Sequence, residues 1–140
     1  MKRYAQLGSV SSGTLRTKDL LSAFANTLED LVDEYVALAQ EARNVDPDSE
    51  VAAFVLDDLF NTLQQFAPPY CYFGVHEGDA ADFGFWINEY ALADAEANGY
   101  LVRSEDPPAD SHVKAWLRVD GNRTTLYMRD NGGWYAVWSV

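Results

Sequence analysis

Lysine and arginine are almost missing from the middle of this 140-residue sequence. Residues 19–110 hold 20 of the 22 acids and, as bases, Arg43 and Arg103, a net charge of −18. Such a stretch repels nucleic acid and anionic membranes and attracts basic protein surfaces. The flanks, 1–18 and 111–140, net +6 from Lys2, Arg3, Arg16, Lys18, Lys114, Arg118, Arg123 and Arg129 against Asp120 and Asp130, which brings the whole chain to −12. Cysteine is reduced to Cys71, so no internal disulfide can form, which fits a reducing compartment. No apolar stretch follows Met1-Lys2-Arg3-Tyr4, which predicts no secretion signal. No apolar run reaches the roughly 18 residues of a membrane span. Also missing are a Walker ending, a GxGxxG turn, a zinc spacing and an EF-hand loop. These absences predict a cytoplasmic protein without a cofactor, a metal site or direct contact with nucleic acid.

What is present suffices for a core. Hydrophobic residues make up 48% and aromatics 14%, too many for a disordered chain. The length suits one domain, 1–140. Residues 3–7 read as a short strand and Gly8–Thr14 as a loop. Leu21, Phe24, Leu28, Leu31, Tyr35 and Leu38 are spaced 3, 4, 3, 4 and 3 apart, one helical stripe that predicts a helix from Lys18 to Arg43 with Thr17 as its cap. Asp46-Pro47 reads as the start of a second helix with Ala52, Val55, Leu59, Leu63 and Phe66 inward and Phe54 and Phe60 widening that face, ended by Pro68-Pro69. Strands are predicted over 70–75, 83–86 and 100–103, with a short helix over 89–98 capped by Asn88. Alternation over 113–119, 124–128 and 134–140, with turns at Asp120-Gly121-Asn122 and Asp130–Gly133, predicts three successive strands. The sum is an α+β fold: an N-terminal antiparallel helical hairpin packed on an antiparallel sheet that ends in a three-stranded meander.

Several groups of residues have the chemistry for a site. His76, Glu77, Asp79 and Asp82 share one short loop and can all ligate a divalent ion, the basis of a metal-assisted hydrolase reading. Their spacing matches no metal motif and Gly78 and Asp79 supply turn geometry, so the loop reads as an ordinary polar turn. His112 is a second imidazole, placed at a strand edge. Cys71 lies between two tyrosines with no nearby base to activate it, so it reads as a small hydrophobe. Gly8–Thr14, with Arg16 and Lys18 after it, has the outline of a phosphate cradle without its motif. Phe83, Phe85 and Trp86 head an aromatic group that can supply a partner-binding face. Glu29, Asp30, Asp33, Glu34, Asp57 and Asp58 fall off or beside the apolar stripes, where two rigid helices would present a rod of negative charge. B-form DNA presents about one charge per 1.7 Å of axis, the pattern such a rod would copy.

Ser9–Leu20, Tyr70–Trp86 and the closing Val137-Trp138-Ser139-Val140 resemble small uncharacterised proteins of bacteriophages and other mobile elements. The likeness spans a minority of the chain and transfers no catalytic residue. It implies an accessory protein acting inside a bacterial host cell, a setting in which small acidic proteins block defence, as anti-CRISPR and anti-restriction proteins do. The reading is a non-enzymatic inhibitor that sets its acidic hairpin on a host protein's basic nucleic-acid-binding surface. The alternatives are the hydrolase and a phage assembly or regulatory protein with no enzymatic role.

Overall fold

The computed structural model describes residues 4–140. The fold is α+β, with four helices and two sheets among the described residues. The chain divides into two compact units, one holding the described residues up to Ala67 with Cys71–Ile87, the other Pro68–Tyr70 with Asn88–Val140.

The first unit contains β1 (Gly8–Ser11), α1 (Thr17–Leu31), α2 (Val36–Asn44), α3 (Glu50–Gln64), β2 (Cys71–His76) and β3 (Asp79–Ile87). Its sheet is antiparallel in the order β1-β3-β2. The apolar stripe behaves as expected along α1, where Leu21, Phe24, Leu28 and Leu31 are buried. Opposite them lie Val55, Leu59 and Leu63 of α3 and Phe73 and Phe85 of the sheet, in one core. Phe24 meets Phe73 edge-on at 5.1 Å and Phe83 at 5.5 Å, arrangements that favour aromatic pairs beyond their burial.

The helix expected over 18–43 is broken. Val32 is extended, at φ −151° and ψ 156°, and the chain turns through Asp33–Tyr35 before α2 begins. Arg43 of α2 then reaches back to Glu29 and Asn26 of α1. In a continuous helix, 14 residues would hold Glu29 and Arg43 about 21 Å apart, so the ion pair requires the break. The break also resets the phase: Ala39 and Ala42 become the buried residues of α2, while Leu38 is half-buried. The N-terminal region is therefore three helices rather than a two-helix hairpin.

Smaller corrections follow from local hydrogen bonds. Ser49, not Asp46, caps α3, accepting from the Ala52 N–H at 3.3 Å; Asp46 and Pro47 form the turn before it. Phe54 faces away from the core, at 70% exposure, whereas Phe60 packs on Phe73 at 5.1 Å. The strand expected over 3–7 is not formed by residues 4–7, and Arg3 lies outside the described residues. Gly8–Ser11, expected in a loop, is instead the edge strand β1, hydrogen-bonded to β3.

The second unit contains α4 (Glu89–Ala97), β4 (Leu101–Arg103), β5 (Ala115–Asp120), β6 (Arg123–Asp130) and β7 (Gly133–Ser139). Asn88 caps α4 as its sequence position predicts, accepting from the Ala91 N–H at 3.1 Å. The sheet order is β4-β5-β6-β7, and β6 pairs antiparallel with both its neighbours. β4 pairs parallel with β5, because the connector 104–114 carries the chain back to the start of β5. The expectation of a single antiparallel sheet thus gives way to two sheets, one of them mixed. Ala115, Leu117, Leu126 and Trp138 are buried, and the Trp138 indole N–H donates to the Pro69 carbonyl at 2.9 Å.

Candidate binding surfaces

The acidic residues singled out from the sequence are all exposed. Asp30 ends α1, Asp57 and Asp58 lie on the outer side of α3, and Asp33 and Glu34 sit in the turn between α1 and α2 rather than on a helix. Among the described residues no side-chain hydrogen bond or ion pair engages these five carboxylates. Glu29 differs. Its carboxylate is held below the usual range by the hydrogen bond from Arg43, and the same contact raises Arg43. Glu29 is thus a tie between α1 and α2 and not a free charge.

The aromatic face expected at Phe83–Trp86 is mostly interior. Phe85 is 1% exposed, and Phe83 packs against the core beside Phe24. Trp86 is half-buried, donates its indole N–H to the Gly74 carbonyl at 2.9 Å and meets His76 edge-on at 4.7 Å. Alternation on a three-stranded sheet with one face on the helices sends Phe73 and Phe85 inward and puts Tyr72 and Trp86 on the other face.

The His76–Asp82 loop is a β-hairpin whose turn is Glu77-Gly78. Its polar groups serve local geometry. The His76 Nδ1 accepts from the Gly78 N–H at 2.9 Å, Asp79 accepts from the Ala81 N–H at 3.0 Å, and Asp82 accepts from the Ser9 hydroxyl at 2.6 Å. Among the described residues no group of three or more His, Cys, Asp or Glu side chains is arranged to hold a metal ion. The phosphate-cradle outline is likewise used up, since Gly8–Ser11 is strand and Thr14 bonds to Asp19. His112 lies in a turn before β5 rather than at a strand edge, its backbone N–H donating to the Asp110 carboxylate at 2.9 Å.

Burial pushes the Cys71 thiol from 9.0 up to about 12. The thiolate is therefore disfavoured in the folded state. An unfolded thiol ionises near its ordinary value, so this contribution to stability is complete below that value and is lost as the pH rises from about 9 towards about 12. Folded protein should react with a thiol-specific disulfide reagent at pH 8 far more slowly than protein in denaturant. Equal rates would show an activated, accessible thiol.

The second unit holds a feature that composition hides. Trp116, Arg118 and Asp120 of β5 stand opposite Tyr127, Thr125 and Arg123 of β6, and Tyr127 and Arg129 stand opposite Ala136 and Trp134 of β7. Cross-strand partners share a sheet face. One face therefore gathers Arg118, Arg123 and Arg129 with Trp116, Tyr127 and Trp134. Tyr127 stacks on Trp116 at 4.5 Å with 23° between the rings, Trp134 meets Trp116 edge-on at 5.9 Å, and the Arg129 guanidinium lies 4.2 Å over the Trp134 ring. The alternation of Trp116 with Arg118 was legible in the sequence; the register that aligns it with Tyr127 and Trp134 was not.

No family model matches this chain, and no curated protein or solved structure is significantly similar to it. Among the described residues no helix is long and apolar enough to cross a membrane.

Proposed function

We propose that this protein is a non-enzymatic binding protein that places the acidic surface of its helical unit on the basic, nucleic-acid-binding surface of another protein. The observation that carries this reading is the set of exposed carboxylates Asp30, Asp33, Glu34, Asp57 and Asp58, which no side chain among the described residues neutralises. They lie in two stretches, 19–42 and 44–102, that contain no lysine or arginine. Charges held on packed helices and a short turn lose little freedom on docking, which favours them as a fixed pattern over a flexible acidic tail. The resemblance to mobile-element proteins supplies the setting: the partner is a bacterial defence complex that grips DNA or RNA, and the protein acts as an anti-CRISPR or anti-restriction inhibitor.

The test uses purified restriction and CRISPR effector complexes, with cleavage of labelled DNA as the readout. The parent protein should inhibit one of them, and excess duplex DNA should compete. Reversal of Asp30, Asp33, Glu34, Asp57 and Asp58 to lysine should abolish inhibition while circular dichroism stays unchanged, because all five side chains lie outside the core. Raising salt from 50 to 200 mM should slow association of the parent roughly tenfold, since exposed charges are screened beyond about 8 Å at physiological ionic strength. Glu29 is left intact, because its loss would untie α2. A reversal variant that inhibits as well as the parent at both salt concentrations would reduce the acids to a solubility device.

A further inference from the structure

We infer that the face of the second sheet built from Arg118, Arg123, Tyr127 and Trp134 is a binding site for single-stranded nucleic acid. Three features point to that ligand. First, arginines and aromatic rings share one face of β5, β6 and β7, where a polyanion can meet the guanidinium groups while its bases lie on the rings. Stacking of successive bases on aromatic side chains beside a cationic track is how single strands are held without regard to sequence. Second, the rings are already positioned. Tyr127 is stacked against the buried Trp116, whose indole N–H is fixed by the Ser104 carbonyl at 3.0 Å, and Trp134 is braced by Trp116 and Arg129. Tyr127 and Trp134 are nevertheless only half-buried, so part of each ring remains open. Third, the charge is available. Arg118 and Arg123 are exposed, and no hydrogen bond or ion pair engages the Arg118 guanidinium among the described residues. Arg123 donates its Nε–H to the Ser139 hydroxyl at 2.7 Å and keeps its terminal nitrogens for a phosphate.

The chain's net charge of −12 opposes this ligand. Exposed charges more than about 8 Å away are largely screened at physiological salt, so the local balance governs contact. On the face that balance is Arg118, Arg123 and Arg129 against Asp120. The connector, which carries Glu105, Asp106 and Asp110, meets the face at its other end. The connector is held by Arg129, which donates to the Pro108 and Asp110 carbonyls at 2.7 and 3.0 Å. A strand lying across Tyr127, Arg118 and Arg123 runs away from that end. Double-stranded DNA, with its bases enclosed, can use the arginines but not the rings.

The test is fluorescence anisotropy of a fluorescein-labelled twelve-nucleotide oligo-dT with the purified protein alone, so that its failure leaves the acidic-surface reading of the first unit untouched. Binding in the micromolar range is expected, weakening roughly tenfold between 50 and 200 mM salt. A duplex of the same length should bind at least tenfold more weakly. Arg118→Glu should lower affinity tenfold or more, and Tyr127→Ala about tenfold, the usual loss for one stacked base. Because Tyr127 also supports Trp116, Tyr127→Phe serves as the partner variant: it keeps the ring and should bind like the parent. No anisotropy change at 50 mM salt, equal affinity for the duplex, an Arg118→Glu variant that binds like the parent, or displacement of the oligonucleotide by polyglutamate at equal charge concentration would each overturn the proposal. The last of these would assign the face to an acidic protein instead.

Discussion

Replacing Phe24 with alanine should destabilise the protein by about 3–5 kcal/mol, the range for removing a buried phenylalanine. The ring is 1% exposed and touches the core on two sides, edge-on against Phe73 and against Phe83. Alanine leaves a cavity between α1 and the three-stranded sheet, and two aromatic pairs lose their partner. Total stabilities of small domains are about 5–15 kcal/mol, so the variant should unfold at a much lower urea concentration or fail to accumulate. Phe54→Ala is the control on the same side-chain chemistry. With Phe54 70% exposed, its loss should change stability by no more than about 0.5 kcal/mol. Equal urea midpoints for the two variants would contradict the assignment of the core.

The second large effect is expected at Gly84. It pairs with Ser9 across β1 and β3, and a methyl group built on it would collide with the neighbouring Gly8 carbonyl oxygen and come within 2.8 Å of the Trp86 ring. The first obstacle is backbone and cannot step aside as a long side chain would. Gly84→Ala should therefore cost at least the roughly 1–3 kcal/mol of ordinary overpacking and displace β1, taking with it the hydrogen bond from Ser9 to Asp82. Gly74, the partner of Gly84 on β2, is the matched control. A methyl group there meets Tyr72 at an ordinary 3.4 Å, so Gly74→Ala should stay within about 1 kcal/mol. Hydrogen exchange on the amides of residues 8–11 separates the two: protection should vanish in Gly84→Ala and persist in Gly74→Ala. Retained protection in Gly84→Ala would mean that the two strands lie farther apart.

Local chemistry alone determined much of this molecule. The spacing of Leu21, Phe24, Leu28 and Leu31 marks one face of α1 because a 3.6-residue turn returns every third or fourth side chain to the same side, and those four residues are buried. Asn88 and Gly99 bracket α4 for equally local reasons: an amide side chain satisfies a free backbone N–H, and Gly99 takes the left-handed φ of +78° that follows the helix. The charge imbalance needs no structure at all. Other features depended on contacts distant in sequence. No glycine or proline marks the break at Val32–Tyr35; it exists because folding α2 back lets Arg43 meet Glu29 and lets the small side chains of Ala39 and Ala42 be buried. Gly8–Ser11 has the composition of a loop and becomes a strand only because β3 offers it an edge to pair with. The aromatics of β2 and β3 have the composition of an interface, and tertiary packing put Phe73, Phe83 and Phe85 in or against the core while leaving Tyr72 and Trp86 half-buried. On β5, β6 and β7 the outcome was reversed. Residues spread from Trp116 to Trp134 in a chain whose sum is acidic come to share one cationic, ring-lined face. Register aligns strands by their backbone hydrogen bonds and their turns, and neither composition nor periodicity records which side chains it will bring together.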